Sequence, residues 1–368
     1  MTPRLVVHVI PTAVARGAQV YARALADVLD GPRIRHRLLC LFEGPQDVVV
    51  DDHLGCRTRG EPGAGFDPRV AVRLRSHLAR SAPSALVAHG GDALKYVVPA
   101  RLLGSPTARV PSAYYAIGTV ADRARQGTRR RLWQVLSARV DVVAAVSDDV
   151  AAECRQVLAV DAARLVVVPN GRDPAVFHPA AAGEARPVPV VAFVGRLVPA
   201  KRPDRFVALV SALRHRGLVL DAVMVGDGPL RGALEAPAAA AGIAMAGPTD
   251  DVAGALRAAD MLVLPSLAAG EGMPGVLIEA GLSGLAVVAT AVPGTSTVVE
   301  AGRTGEVVPV DDFEALVSAA ANLVVDAARR RAMGEAARAR CVERFTMAAS
   351  AAAWEGLLDR MMAGNFGR

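Results

Sequence analysis

The chain has two lysines, Lys95 and Lys201, among 42 basic residues, and aromatic side chains make up 4% of it. This preference for arginine, together with abundant alanine, is the amino-acid usage of a GC-rich genome. A lysine in a loop after an apolar run then points to a need for a compact point charge, with chance placement as the competing explanation. The four cysteines, Cys40, Cys56, Cys154 and Cys341, are scattered, with no C-x-x-C and no histidine at metal-ligand spacing. That pattern argues against a disulfide framework or a zinc site and for ordinary buried thiols. No apolar run reaches the roughly 18 residues of a membrane span. The opening residues, MTPRLVVHVIPTAVARG, lack the charged start, long apolar centre and small-residue cleavage site of a secretory signal, so a cytoplasmic location is expected.

What the chain does have is length and alternation. Its 368 residues favour two domains, each able to bury a full core, and the composition is that of a globular protein. Apolar runs at Leu5 to Ile10, Arg37 to Phe42, Ala85 to Ala88, Val110 to Tyr115 and Val140 to Val146 are each followed by a loop and a helix-period segment. Alternation of this kind predicts parallel sheets covered by helices. It pauses at FHPAAAGEARPVP, from Phe177 to Pro189, and resumes with Val190 to Val194, Leu220 to Val225, Met261 to Leu264 and Leu285 to Ala289. The expected fold is α/β: two doubly wound, Rossmann-like lobes, residues 1–180 and 188–346, facing across a cleft with ligands at the carboxyl ends of the strands.

The most informative stretch is LPSLAAGEGMPGVLIEAGLSGLAVVAT, in which Glu271 and Glu279 stand at either end of a glycine- and proline-bearing turn and the start of a helix. Spacing alone is not distinctive, since Glu306 and Glu314, and Glu335 and Glu343, are also eight apart. Context decides. Leu262 to Pro265 reads as a strand, Glu271 to Gly275 as a loop, and Val276 to Leu282 as a helix whose first amides lack internal partners. Free amides at a helix start attract phosphate. Glu271 then stands beside whatever the phosphate carries, while Glu279 is placed to accept hydrogen bonds from vicinal hydroxyls such as a ribose edge. The other two pairs read as solvated faces.

This segment resembles the E-x7-E motif of the retaining glycosyltransferases of family four, which have the GT-B fold. Other landmarks stand before it in order along the chain: VVVPNGRDPAVFHP, VAFVGRLVPAKRPDRF and VGDGPL. Together they cover nearly the whole chain and are more specific than any one piece. The resemblance implies a cytoplasmic hexosyltransferase that uses a nucleoside-diphosphate sugar, a UDP- or GDP-sugar, as co-substrate. It implies a hydroxyl acceptor, no cofactor and no metal. No two aspartates stand two apart, so the D-x-D that holds a divalent ion in many nucleotide-sugar enzymes is missing. Arg196 and Lys201 would hold the diphosphate, with amides around Met273, Pro274, Gly275 and Val276 adding fixed dipoles. Glu271 would orient the sugar and Glu279 the ribose. Thr249 would sit beside the nucleobase, and Gly17 would form the glycine turn that lets the first lobe approach the same phosphates. Two departures stand out: Arg16 replaces the first of two usual glycines, and Ile117 precedes Gly118 where relatives often carry histidine. His89, Tyr114 and Tyr115 are the candidates for the acceptor side. The last helix, about Met347 to Met362 within residues 347–368, resembles the family's terminal helix that crosses back to the first lobe.

Charge divides unevenly: residues 1–185 hold 24 basic and 17 acidic side chains, whereas residues 186–368 hold 18 and 19. The densest basic patch is Arg123, Arg125 and Arg129-Arg130-Arg131, followed by Leu132-Trp133. It fits peripheral contact with an anionic membrane, or a plain solvated helix face. Nucleic acid is disfavoured, because no binding module accompanies the charge. Two readings compete with a transferase. A sugar-nucleotide epimerase is disfavoured by the VGRLVPAKRPDRF and EGMPGVLIEA pair. A non-catalytic sugar-nucleotide-binding partner of a glycan assembly system is kept open by the altered Arg16-Gly17 and Ile117 regions.

Overall fold

The computed structural model describes residues 3–57, 65–102, 104, 107–120, 125–181, 186–268 and 271–366. Arg123 of the basic patch lies outside them. The chain folds as two compact units, one of residues 1–171 and 347–368, the other of residues 172–346.

Among the described residues the first unit is built on seven parallel strands, β1 (Arg4–Ile10), β2 (Ile34–Phe42), β3 (Asp52–Cys56), β4 (Ala85–His89), β5 (Ser112–Ala116), β6 (Val142–Ala145) and β7 (Leu165–Val167). Their order is β3-β2-β1-β4-β5-β6-β7. The central strands are buried on both faces, which is why they read as unbroken apolar runs. Helices α1 (Gly17–Leu29), α2 (Pro68–Ser81), α3 (Gly91–Leu102), α4 (Gly127–Ala138) and α5 (Asp148–Gln156) connect them. The second unit repeats the plan with β8 (Val190–Val194), β9 (Asp221–Val225), β10 (Ala244–Gly247), β11 (Met261–Leu264), β12 (Ala286–Thr290) and β13 (Gly305–Val308), ordered β10-β9-β8-β11-β12-β13. Its helices are α6 (Pro203–His215), α7 (Arg231–Ala240), α8 (Val252–Arg257), α9 (Gly275–Leu282), α10 (Thr295–Val298), α11 (Phe313–Val325) and α12 (Ala327–Arg344). Helix α6 shows why its ends lie where they do: Pro203 opens it, Asp204 is in its first turn, and Arg214 and His215 are in its last, each matched to the helix dipole. Phe193 of β8 packs on Phe206 of α6 with ring centroids 5.7 Å apart in the core.

In both sheets the strand order reverses at one point, between β1 and β4 and between β8 and β11. Open α/β sheets bind ligands outside the carboxyl ends of strands at such points.

Helix α13 (Met347–Met362) belongs to the first unit. Trp354 is fully buried and donates from its indole nitrogen to the Tyr21 hydroxyl at 3.0 Å, which in turn lies 2.6 Å from Ser350 Oγ. The seam between units is earlier than the proline-rich stretch: it falls at Gly171/Arg172. Residues 172–179 pack on the second unit, where Pro179 lies against Gly284 and the Val176 carbonyl accepts a 3.3 Å bond from Arg257. A pause in periodicity marks a loop, and a loop can lie on either neighbour.

Candidate functional site

In the second unit the loops after β8 and β9 are locked together by glycine. Gly226 has φ +133°, and a Cβ there would collide with the Gly195 carbonyl oxygen. A Cβ on Gly228 would come within 2.5 Å of the Leu197 carbonyl oxygen. The two glycines of VGDGPL therefore exist to let two backbones touch. Leu197 N donates to Asp227 O at 2.9 Å and Leu230 N to Leu197 O at 3.0 Å. This fixes Arg196, whose side chain is exposed and forms no hydrogen bond or ion pair among the described residues. A 3-10 turn, Pro199–Lys201, follows, and the Ala200 carbonyl accepts a 2.7 Å bond from Leu267 N in the loop after β11.

That loop carries Glu271, which is buried and ion-paired with Lys201. Its far side is held by Gly294, φ +79°, where a Cβ would meet Met273 Cα at 2.5 Å. Met273 and Pro274 are buried and shape the turn rather than presenting side chains. Pro274 is the N-cap of α9, and no side chain caps the helix; Gly275 and Val276 begin it half-buried. Glu279, one turn in, accepts a 2.7 Å hydrogen bond from Arg172 Nε through Oε1. The Arg172 guanidinium lies over Gly275, where a Cβ would collide with it. Four charges thus converge beside an uncapped helix start: Lys201 with Glu271, and Arg172 with Glu279. Arg172 was not foreseen from the sequence. Its partner is 107 residues away, and NGRD reads only as a turn. Thr249 is exposed, its hydroxyl taken by Asp251 N at 3.0 Å. Among the described residues no group of three or more His, Cys, Asp or Glu could hold a metal ion.

The first unit has a cavity of about 330 Å³ at its strand switch point. It is lined by the ends of β1 and β4, the start of α1 and the 117–120 loop, with His89, Gln19, Asp92, Tyr114 and Trp133 among its walls. His89 and Gln19 are buried, and His89 Nδ1 and Gln19 Oε1 have no hydrogen-bond partner. Burial holds the His89 imidazole down at about 3 and pushes the Tyr114 phenol up. Trp133 lies so close to Gly91 that a Cβ there would meet the ring at 2.8 Å. Gly17, the first residue of α1, faces open space: no atom lies within 4 Å of an added Cβ, so protein packing does not require glycine there.

Of His89, Tyr114 and Tyr115, the first two line the cavity and Tyr115 does not. It points to the face of β5 opposite Tyr114, fully buried, and its hydroxyl bonds Val168 O and Asn170 Oδ1, each at 2.9 Å. Tyr115 shares its face with its register partner His89, but its hydroxyl is spent on these internal bonds and the residue does not reach the cavity at the strand ends.

Residues 188–326 match the family described as "Glycosyl transferases group 1", and residues 15–176 match "Glycosyltransferase Family 4". The D-inositol 3-phosphate glycosyltransferase of Nocardia farcinica is 34% identical over 243 residues, covering 60% of this chain and 52% of that protein. In several such matches the chain spans about half the length of the curated relative. The sucrose-phosphate synthase of Thermosynechococcus elongatus aligns in structure with a TM-score of 0.82 at 20% identity, covering 98% of this chain and 100% of that one. The HepE protein of Anabaena in complex with UDP and glucose aligns with a TM-score of 0.78 at 18% identity, covering 96% and 99%. At these identities the structures establish the fold: this chain has the GT-B fold and is related to glycosyltransferases.

Proposed function

We propose that this GT-B chain, a relative of the glycosyltransferases above, moves a sugar from a nucleoside-diphosphate donor, UDP- or GDP-linked, to a hydroxyl acceptor without a metal ion and with retention at the anomeric carbon. The observation that carries the reading is the uncapped start of α9, flanked by Lys201 and Arg172 and by the carboxylates of Glu271 and Glu279. A departing diphosphate needs positive charge where its own negative charge develops. Lys201, Arg196 and the first amides of α9 supply it, and Arg172 adds a planar donor set suited to phosphate. Glu271, held against Lys201, supports positive charge on the sugar ring. A phosphate oxygen of the leaving group takes the acceptor proton on the face the donor leaves, which accounts for retention.

The test is turnover of a panel of UDP-, GDP-, ADP- and dTDP-sugars, with binding followed by thermal shift, since a ligand of the native state raises its melting point. Activity with one donor should survive a chelator. Complete loss on chelation, restored by magnesium, would remove the metal-independent reading.

Two carboxylates with different roles should separate on mutation. Glu279→Ala is expected to weaken binding of the free nucleotide, because it frees Arg172 and removes the ribose acceptor. Glu271→Ala should leave that binding near native and lower turnover instead. Isothermal titration decides: equal loss of nucleotide affinity in both variants contradicts the assignment.

The acceptor is read from α4. Arg129, Arg130, Arg131, Leu132 and Val135 are all exposed on this helix, and only Leu136 and Ser137 are buried. A helix that presents three cations beside apolar side chains fits an anionic lipid surface, each charge contributing about 1 kcal/mol, so a lipid-linked acceptor is favoured. Co-sedimentation with anionic vesicles should be salt-sensitive and lost when the three arginines become glutamine. No binding at low salt would favour a soluble acceptor.

A further inference from the structure

Three buried histidines cross the first sheet in a line. His36 on β2 pairs in register with Val6 of β1, two residues before His8, and His8 pairs with Val87 of β4, two residues before His89. Residues two apart on a strand share a face, so the three imidazoles step diagonally over one face of adjacent strands. His89 Nε2 lies 2.9 Å from His8 Nδ1, and His8 Nε2 lies 2.9 Å from His36 Nδ1. His8 is 0%, His89 2% and His36 5% exposed, so His36 is the least enclosed. At the far end, His89 lines the 330 Å³ cavity, and its Nδ1 is buried without a partner.

Such a row has a property that no single histidine has. Each contact needs one proton between its two nitrogens, and a neutral imidazole carries one. If His8 is protonated on Nε2, then His89 must carry its proton on Nε2 and His36 on Nε2. If His8 is protonated on Nδ1, the other two must be as well. Only two neutral arrangements exist, and they differ at the cavity: His89 Nδ1 is an acceptor in the first and a donor in the second. Burial depresses all three, His36 to about 4 and His89 to about 3, so an imidazolium is disfavoured at every position. Arg23 lowers His8 further, Asp30 raises His36 but is outweighed by burial, and His89 is flanked by the rings of Tyr115 and Trp354.

We propose that His89, His8 and His36 form a proton outlet from the cavity, reset after each turnover when His36 Nε2 takes a proton from solvent and His89 Nδ1 gives its own to water in the emptied cavity. A ligand hydroxyl in the cavity gives its proton to His89 Nδ1. His89 Nε2–H passes to His8 Nδ1, His8 Nε2–H passes to His36 Nδ1, and His36 Nε2–H leaves to solvent. One proton enters and one leaves, the hydroxyl oxygen keeps its electron pair to form its new bond, and no imidazole is ever charged. The ligand class is a polyhydroxylated acceptor, and this rests on the transferase reading. On that reading the outlet is the alternative to the leaving phosphate as the destination of the single acceptor proton, and the solvent-isotope arm below decides between them. His8 and His36 are positioning residues; neither lines the cavity.

The test has one arm that does not need activity. In the full-length protein labelled with ¹⁵N-histidine, imidazole nitrogen shifts should show His8, His36 and His89 sharing one tautomer. In His36→Phe, His8 and His89 should still share one tautomer, both Nδ1–H or both Nε2–H, because the contact between them still needs one proton. Opposite tautomers at His8 and His89 in either protein overturn the proposal. In the second arm, turnover in H₂O–D₂O mixtures should bend as several protons move together. For His36→Phe it should fall about 10²-fold at unchanged KM and become linear. A straight line for the native protein overturns the outlet. If no donor in the panel is turned over, the transferase reading fails, and the nitrogen shifts still decide whether the row is coupled.

Discussion

Lys201→Ala is expected to lower kcat by about 10² to 10³, a loss of roughly 3 to 4 kcal/mol of transition-state stabilisation by analogy with the removal of one oxyanion donor. Two effects act in the same direction. The departing diphosphate loses its point charge, and the Glu271 carboxylate, 9% exposed, is left without its cation where a phosphate has to come to rest. A carboxylate stripped of its partner also destabilises the native state, so melting temperature has to be followed beside turnover. Lys201→Arg should recover part of the rate but not all, since a planar guanidinium does not replace a compact ammonium. Near-native kcat/KM for the alanine variant, with the donor that the panel identifies, would falsify the role given to this residue.

The second large effect is loss of stability in mild acid, and it begins in the first unit. His8, His36 and His89 are held below the ordinary value of 6.5, chiefly by burial. In the unfolded chain each binds a proton near 6.5, so the unfolded state gains protons that the native state refuses. Stability is therefore fully present above about pH 6.5 and is lost as pH falls from there toward 3 to 4. The slope approaches about 1.4 kcal/mol per pH unit for each histidine, or about 4 for the three. Against a typical total of about 5 to 15 kcal/mol, roughly one to four pH units at that slope would unfold the unit. Both tryptophans, Trp133 and Trp354, lie in the first unit, so their fluorescence reports it selectively. Urea midpoints by tryptophan emission should drop steeply between neutral pH and about pH 5. A midpoint independent of pH over that range contradicts the buried, neutral state of the trio.

The strands that the sequence reading located were those buried on both faces. Val190 to Val194 agrees to the residue, because an all-apolar run leaves little choice of boundary, and Met261–Leu264 matches one of two readings of that run, the other being Leu262 to Pro265. The strands β3 and β13, with sequences DHLGC and GEVV, lie at sheet edges, where half the side chains face water and periodicity fades. In the site, Glu271, Glu279 and Lys201 were legible because one short segment and one ordered motif hold them. Arg172 and the histidine row were not. His8, His36 and His89 sit 28 and 81 residues apart, and only the register of three strands brings them together. Nothing local in LVVHVI, RHRLLC or LVAHGG separates a partnered histidine from an incidental one.

Helix α13 closes the first unit with residues made after the whole of the second. The side chain that fills its centre, Trp354, emerges only after the whole of residues 172–346 has been synthesised. On the ribosome the second unit has all its residues before the first does, although it begins later. The first must wait, with Tyr21 and the floor of its sheet uncovered, for the length of that interval. A nascent chain stalled before residue 347 should therefore present one finished unit and one open to chaperones, which is the reverse of the order in which their residues were read.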